Sequence, residues 1–103
     1  MVTELTDATF DAFIDANEMT IIDCWAPWCG PCRRMTPIME ELSVELEGRV
    51  GVSKLNVDEN QAISVRFGIR AIPTLLVFKD KVLVDTLVGL RSKEDIIEYI
   101  NDL

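Results

Sequence analysis

The sequence predicts an α/β domain, a central mixed sheet of four to five strands flanked by about four helices. Three observations carry this. Short apolar runs alternate with stretches of helical periodicity along the 103 residues, which is the pattern of α/β domains. Thr20–Trp25 is an apolar run broken by Asp23, as a strand buried on both faces reads. Late in the chain, Thr74–Phe78 and Val82–Val88 are β-rich and joined by Lys79-Asp80-Lys81, which reads as a hairpin. Parallel strands early and an antiparallel hairpin late make a mixed sheet covered on both faces. There is no linker, repeat or low-complexity stretch, so residues 1–103 are expected to form one domain.

The elements follow in order. From Asp7 to Asn17, Ala8, Phe10, Phe13, Ile14 and Ala16 recur at mostly helical spacing, with Thr6 or Asp7 expected as N-cap. From Cys32 to Leu46, Met35, Ile38, Met39, Leu42 and Leu46 fall on one helical face, and Pro37 within it is expected to kink the helix. Val50–Val57 reads as a strand, and Asn60–Phe67 as a short helix stopped by Gly68. Ser92 opens the last helix as N-cap, with Ile96, Ile97, Ile100 and Leu103 turned to the core. A short edge strand before the first helix would complete the sheet.

Composition removes several function classes. A net charge of −8 disfavours nucleic acid and anionic membranes as partners. No apolar run approaches the roughly 18 residues of a bilayer span. Met1-Val2-Thr3-Glu4 lacks the basic and apolar regions of a secretory leader. Three cysteines are too few for a disulfide framework and leave one unpaired. A cytoplasmic monomer with reduced thiols is therefore expected.

The chemistry concentrates at Trp28-Cys29-Gly30-Pro31-Cys32. A Cys-x-x-Cys pair is either a redox couple or half of a metal site. Structural zinc takes four ligands, and only Cys24 remains, with no histidine in the chain. A metal site is not expected, nor any cofactor beyond a Cys29–Cys32 disulfide. The strand ending at Trp25 leads through Ala26-Pro27-Trp28-Cys29 into a helix, which puts Cys29 at the helix N-terminus. Free amides and the macrodipole there favour a thiolate, so Cys29 is the expected attacking thiol. Cys32 lies one turn on, within reach of it, as the resolving thiol. Pro31 suits a helix start, where its missing N–H costs nothing, and Gly30 completes the spacer.

Asp23 is the only charge in its run. Buried, its carboxyl would ionise with difficulty and serve as proton acceptor and donor. Turned to solvent, it would be an ordinary strand-end aspartate. Lys54 is either its partner from a neighbouring strand or a solvated lysine. Cys24 alternates away from Asp23 and reads as an inert core residue, with a regulatory thiol as the alternative. Pro73 opens the strand Thr74–Phe78; X-Pro bonds are mostly trans.

These residues bear a resemblance to a known family. Asp23-Cys24-Trp25-Ala26-Pro27-Trp28-Cys29-Gly30-Pro31-Cys32, Lys54-Leu55-Asn56-Val57-Asp58, Phe67-Gly68-Ile69-Arg70-Ala71-Ile72-Pro73-Thr74 and Val88-Gly89 together resemble the thioredoxin family, over essentially the whole chain. The resemblance implies the thioredoxin fold, a cis bond at Ile72–Pro73 facing the cysteines, Asp23 buried behind Cys32, and Lys54 near Asp23. It also implies a shallow apolar surface of Trp28, Ile72, Pro73 and Gly89 that receives an extended segment of a substrate protein, paired at Ile72 like an added strand. Two departures stand out. The turn at Asp80-Lys81 lacks the glycine frequent there, and Cys24 stands where an aromatic residue is common.

The implied activity is general protein-disulfide reduction, with a separate thioredoxin reductase, either an NADPH flavoprotein or ferredoxin-linked, restoring the dithiol. Two other functions compete. A disulfide oxidase or isomerase usually carries histidine between the cysteines, unlike Gly30-Pro31. A redox-independent interaction module would bind partners unchanged after loss of both cysteines.

Overall fold

The computed structural model describes residues 1–103. Five strands, β1 (Thr3–Leu5), β2 (Met19–Trp25), β3 (Gly51–Asn56), β4 (Thr74–Lys79) and β5 (Val82–Val88), form one sheet in the order β1-β3-β2-β4-β5. β1, β3 and β2 run parallel, and β4 and β5 are antiparallel to their neighbours. The helices are α1 (Phe10–Asp15), α2 (Gly30–Glu45), α3 (Gln61–Arg66) and α4 (Lys93–Asn101).

The alternation of side chains along β2 divides the core in two. Ile21 joins Met35, Met39, Leu42, Ile96 and Ile100 beneath α2 and α4. Ile22 and Cys24 join Phe10, Ile14, Leu55, Ile63 and Phe78 beneath α1 and α3. Asp23, two residues from Ile21, is thereby committed to the α2 face. The predicted mixed sheet and its hairpin are present.

Local differences have physical causes. α2 begins at Gly30, two residues before Cys32, and runs through Pro37 to Glu45 as one helix. Thr9, not Thr6 or Asp7, is the N-cap of α1. Asp7 instead caps α3 from across the chain: its Oδ1 accepts from Ile63 N–H at 3.0 Å and its Oδ2 from Ala62 N–H at 3.3 Å. Asn60, the N-cap of α3, makes no side-chain cap bond there; its Oδ1 accepts from Asp7 N–H at 2.9 Å. Ser92 caps α4 as expected, accepting from Asp95 N–H at 3.1 Å. Ile96 and Ile100 are buried, whereas Leu103 lies beyond α4 and is 38% exposed.

The glycine-free turn closes tightly. Lys79 pairs with Val82, leaving Asp80 and Lys81 as a two-residue loop with φ of 53° and 70°. Both central residues of a type I′ turn need positive φ, which costs an L-residue about 1–2 kcal/mol. Lys81→Gly is therefore expected to raise unfolding stability by about 0.5–1 kcal/mol in chemical denaturation; an unchanged or lowered midpoint would contradict the strain. Asp7→Ala should lower stability by about 1 kcal/mol, the usual cost of losing a helix cap, and a neutral result would show that solvent replaces the carboxylate at no cost.

Candidate active site

The site is built where β2 hands the chain to α2. Ala26 O accepts from Cys29 N–H at 3.2 Å, turning the four-residue connection into the helix. Cys29 is the N-cap of α2, with an extended backbone, and its Sγ accepts from Cys32 N–H at 3.2 Å. Its sulfur thus satisfies one of the amides that a helix start leaves without partners. Cys29 and Cys32 are joined in a disulfide, their Cα atoms 5.2 Å apart. Both are nearly enclosed, at 4% and 2% exposure.

A second segment meets them from the start of β4. The Ile72–Pro73 bond is cis, and Ile72 O lies 3.8 Å from Cys29 Sγ. Pro73 O accepts from Gly89 N–H at 2.8 Å, which ties the loop after β5 to the same edge. Gly89 has φ of 98°, a conformation open to glycine at little cost. Thr74 Oγ1 donates to Ala71 O and braces the loop before the proline. Trp28 projects beside the disulfide, 68% exposed, and its Nε1–H donates to Asp58 Oδ2 at 2.9 Å. Arg33 donates to Pro27 O at 3.0 Å. Asp58 and Arg33 were not singled out from sequence, since neither bond joins residues that periodicity would relate.

Asp23 is 2% exposed, and the alternative of a solvent-facing strand-end carboxylate does not hold. Its Oδ1 has no hydrogen-bond partner. Burial raises its pKa from 3.8 to about 7; Lys54 pulls the other way, and Glu4 adds to the rise. Lys54 is its registered neighbour on β3. The ammonium, however, comes within salt-bridge distance of Glu4 Oε1, at 3.8 Å, rather than of Asp23. A cavity of about 120 Å³, lined by Asp23, Lys54, Trp25, Thr36 and Glu40 among others, opens beside the carboxyl and is large enough for water. Cys24 is fully buried, and burial, reinforced by Asp23, pushes its thiol up to about 12. It is protonated at neutral pH and unsuited to attack.

The sequence-predicted residues therefore fall into two groups. Cys29, Cys32, Trp28, Ile72, Pro73 and Gly89 gather around the disulfide. Asp23 and Lys54 share the cavity under the α2 face. No cluster of three or more potential metal ligands is present, and no helix is long and apolar enough to cross a membrane.

The thioredoxin family model matches residues 1–102. The chain belongs to the thioredoxin family. It is 45% identical over 103 residues to a thioredoxin of Rickettsia bellii, covering 99% of this chain and 98% of that protein. Against a thioredoxin of Rickettsia felis it is 42% identical, covering 98% and 97%. Against a thioredoxin of Staphylococcus aureus it is 40% identical, covering 97% and 95%. With the Cys29–Cys32 pair in place, thioredoxin-family membership makes the chain a thiol–disulfide oxidoreductase, a protein-disulfide reductase. Thioredoxin-family proteins act on disulfide-bearing substrates and depend on a reductase for their electrons.

The buried carboxyl has a measurable consequence for stability. The folded chain holds a proton on Asp23 between about pH 4 and 7 that the unfolded chain releases. This contribution is complete at low pH and is lost as pH rises through about 7. Asp23→Asn, which cannot ionise, is expected to be more stable than wild type at pH 8 by up to about 4 kcal/mol, the gap closing toward pH 4. Thermal unfolding across that range checks it, and a pH-independent difference would contradict the assigned burial.

Proposed function

We propose that Cys29 attacks, Cys32 resolves, and Asp23 accepts and returns the proton in disulfide reduction by this chain. The observation that carries the reading is the position of Cys29 Sγ at the start of α2, accepting an amide N–H. That amide and the helix dipole favour sulfur in its anionic form. In the dithiol, Cys29 thiolate attacks one sulfur of the substrate disulfide. A Cys29–substrate disulfide forms and the second substrate sulfur departs as thiolate, to be protonated. Cys32 thiol then gives its proton to the Asp23 carboxylate and attacks Cys29 Sγ. The mixed disulfide breaks, the Cys29–Cys32 disulfide forms, and the first substrate sulfur leaves as thiolate, which takes the proton returned by Asp23 to become the second thiol. Two electrons and two protons have passed to the substrate.

A carboxyl that ionises near pH 7 suits both directions. It is available as base when Cys32 must ionise and as acid when the disulfide is reduced again. The cavity beside it links the carboxyl to the surface near Lys54. Extended substrate backbone would lie along Ile72, whose carbonyl stands beside Cys29 Sγ, with Trp28, Pro73 and Gly89 forming the apolar floor. Lys54, Gly30 and Pro31 support this arrangement. Action as a monomer is part of this reading, since Cys29, Cys32 and the cis Ile72–Pro73 segment meet within one protomer. The resting dithiol suits the cytoplasm. Electrons come from a separate reductase, an NADPH flavoprotein or a ferredoxin-linked enzyme, distinguished by supplying each donor in turn. Gly30-Pro31 carries no histidine to stabilise the thiolate further, so an oxidase role is not favoured.

Incubated with a disulfide-bonded protein, Cys32→Ser should accumulate a mixed disulfide visible on non-reducing gels, and Cys29→Ser should form none. Equal trapping by the two variants would overturn the division of roles.

A further inference from the structure

One transverse row of the sheet carries three charged side chains on the α2 face. Glu4 on β1 is registered with Lys54 on β3, and Lys54 with Asp23 on β2. The row runs from water to the interior, with side-chain exposures of 50% at Glu4 and 29% at Lys54 and a 2% residue exposure at Asp23. Lys54 is thus flanked by two carboxyl groups and has one positive charge to divide between them. It is held toward the outer one, its Nζ 3.8 Å from Glu4 Oε1 and 5.4 Å from the centre of the Trp25 ring. Glu4 is itself anchored, because its Oε2 accepts from Trp25 Nε1–H at 3.4 Å. Two contacts therefore hold the lysine toward the outer carboxyl, and a third fixes Glu4 in place.

We infer that Glu4 is a positioning residue for the exchange reaction, holding the Lys54 ammonium toward the sheet edge and off the Asp23 carboxyl. The inference rests on the role of Asp23 proposed above. Glu4 acts in two ways that point in the same direction. It competes for the Lys54 charge, and it adds a second negative charge to the row. Lys54 from β3 and Glu40 from α2 line the cavity with Asp23, and Glu4 from β1 acts on it through the row; the Cys24 thiol on β2 itself belongs to the opposite face, and the β4 partner is the uncharged Leu75. Of these, only Lys54 is cationic, so its division between two carboxyls governs the balance. Burial alone would raise Asp23 regardless of its neighbours. Glu4 decides how much of that rise survives the lysine.

The test uses reduction of insulin, with dithiothreitol restoring the dithiol, followed from pH 5 to 9 in wild type, Glu4→Gln, Lys54→Met and Asp23→Asn. Glutamine keeps an acceptor for Trp25 and removes only the charge. Glu4→Gln should move the Asp23-dependent inflection to lower pH by roughly half a unit, the size expected of a partly exposed pair. Lys54→Met should move it to higher pH. In 1 M salt the displacement from Glu4→Gln should shrink, because the outer pair is exposed to screening. Thermal unfolding of each variant separates these effects from loss of structure. An inflection in Glu4→Gln that stays in place, or moves up, overturns the inference while leaving Asp23 as the proton group. An inflection that persists unchanged in Asp23→Asn instead overturns the role of Asp23 on which it rests.

Discussion

A strand with partners on both edges and helices over both faces buries nearly all of its side chains. β2 is that strand, and the rest of the site depends on its burial. Its apolar residues supply the centre of both core clusters, and burial of each such side chain is worth about 1.5–3 kcal/mol. Asp23 is carried inside by that larger gain. A carboxyl held there against its desolvation cost is driven toward the neutral form. The stability that the sheet loses by enclosing it at neutral pH is the origin of a carboxyl that titrates well above its ordinary range in a chain that has no histidine.

The same strand fixes the cysteines. Because β2 cannot slip without moving Asp23 and the core to the wrong faces, the point where it ends is set, and with it the start of α2. Cys29 then falls at the cap rather than one residue inside the helix. At the cap its sulfur meets a backbone amide, whereas one residue on it would lie on the helix surface without that bond. β4, paired to the other edge of β2, brings Ile72 and Pro73 to the same end. Sulfur, carbonyl and carboxyl are positioned by one sheet register, so the chemistry needs little adjustment of its own.

Much of this could be read from the residues. The apolar run around Asp23, the position of Cys29 before a helical pattern, and the Ser92 cap are local signals, and the observed elements overlap the segments that local periodicity marked, with helix ends that differ by a few residues. The misses are of another kind. Asp7 looks like a cap for the helix that follows it, but the amides it satisfies belong to α3, 55 and 56 residues away. The pairing of Lys54 with Glu4 arises from two strands that meet only through the sheet. Periodicity along a chain carries no information about rows across it. The turn at Asp80-Lys81 was legible as a hairpin but not in its conformation, since tertiary pairing of β4 with β5 imposes the positive φ that neither residue favours. The cis bond at Ile72–Pro73 had no local signal either, and the family resemblance alone pointed to it.

The chemistry proposed for the site turns on the ionisation of one buried carboxyl. Its most direct measurement is the pH titration of the Asp23 side-chain carboxyl carbon by NMR in the disulfide form, assigned by comparison with Asp23→Asn. Burial of the carboxyl predicts a midpoint raised to about 7. A midpoint near 4, the ordinary value of a solvated aspartate, would contradict it.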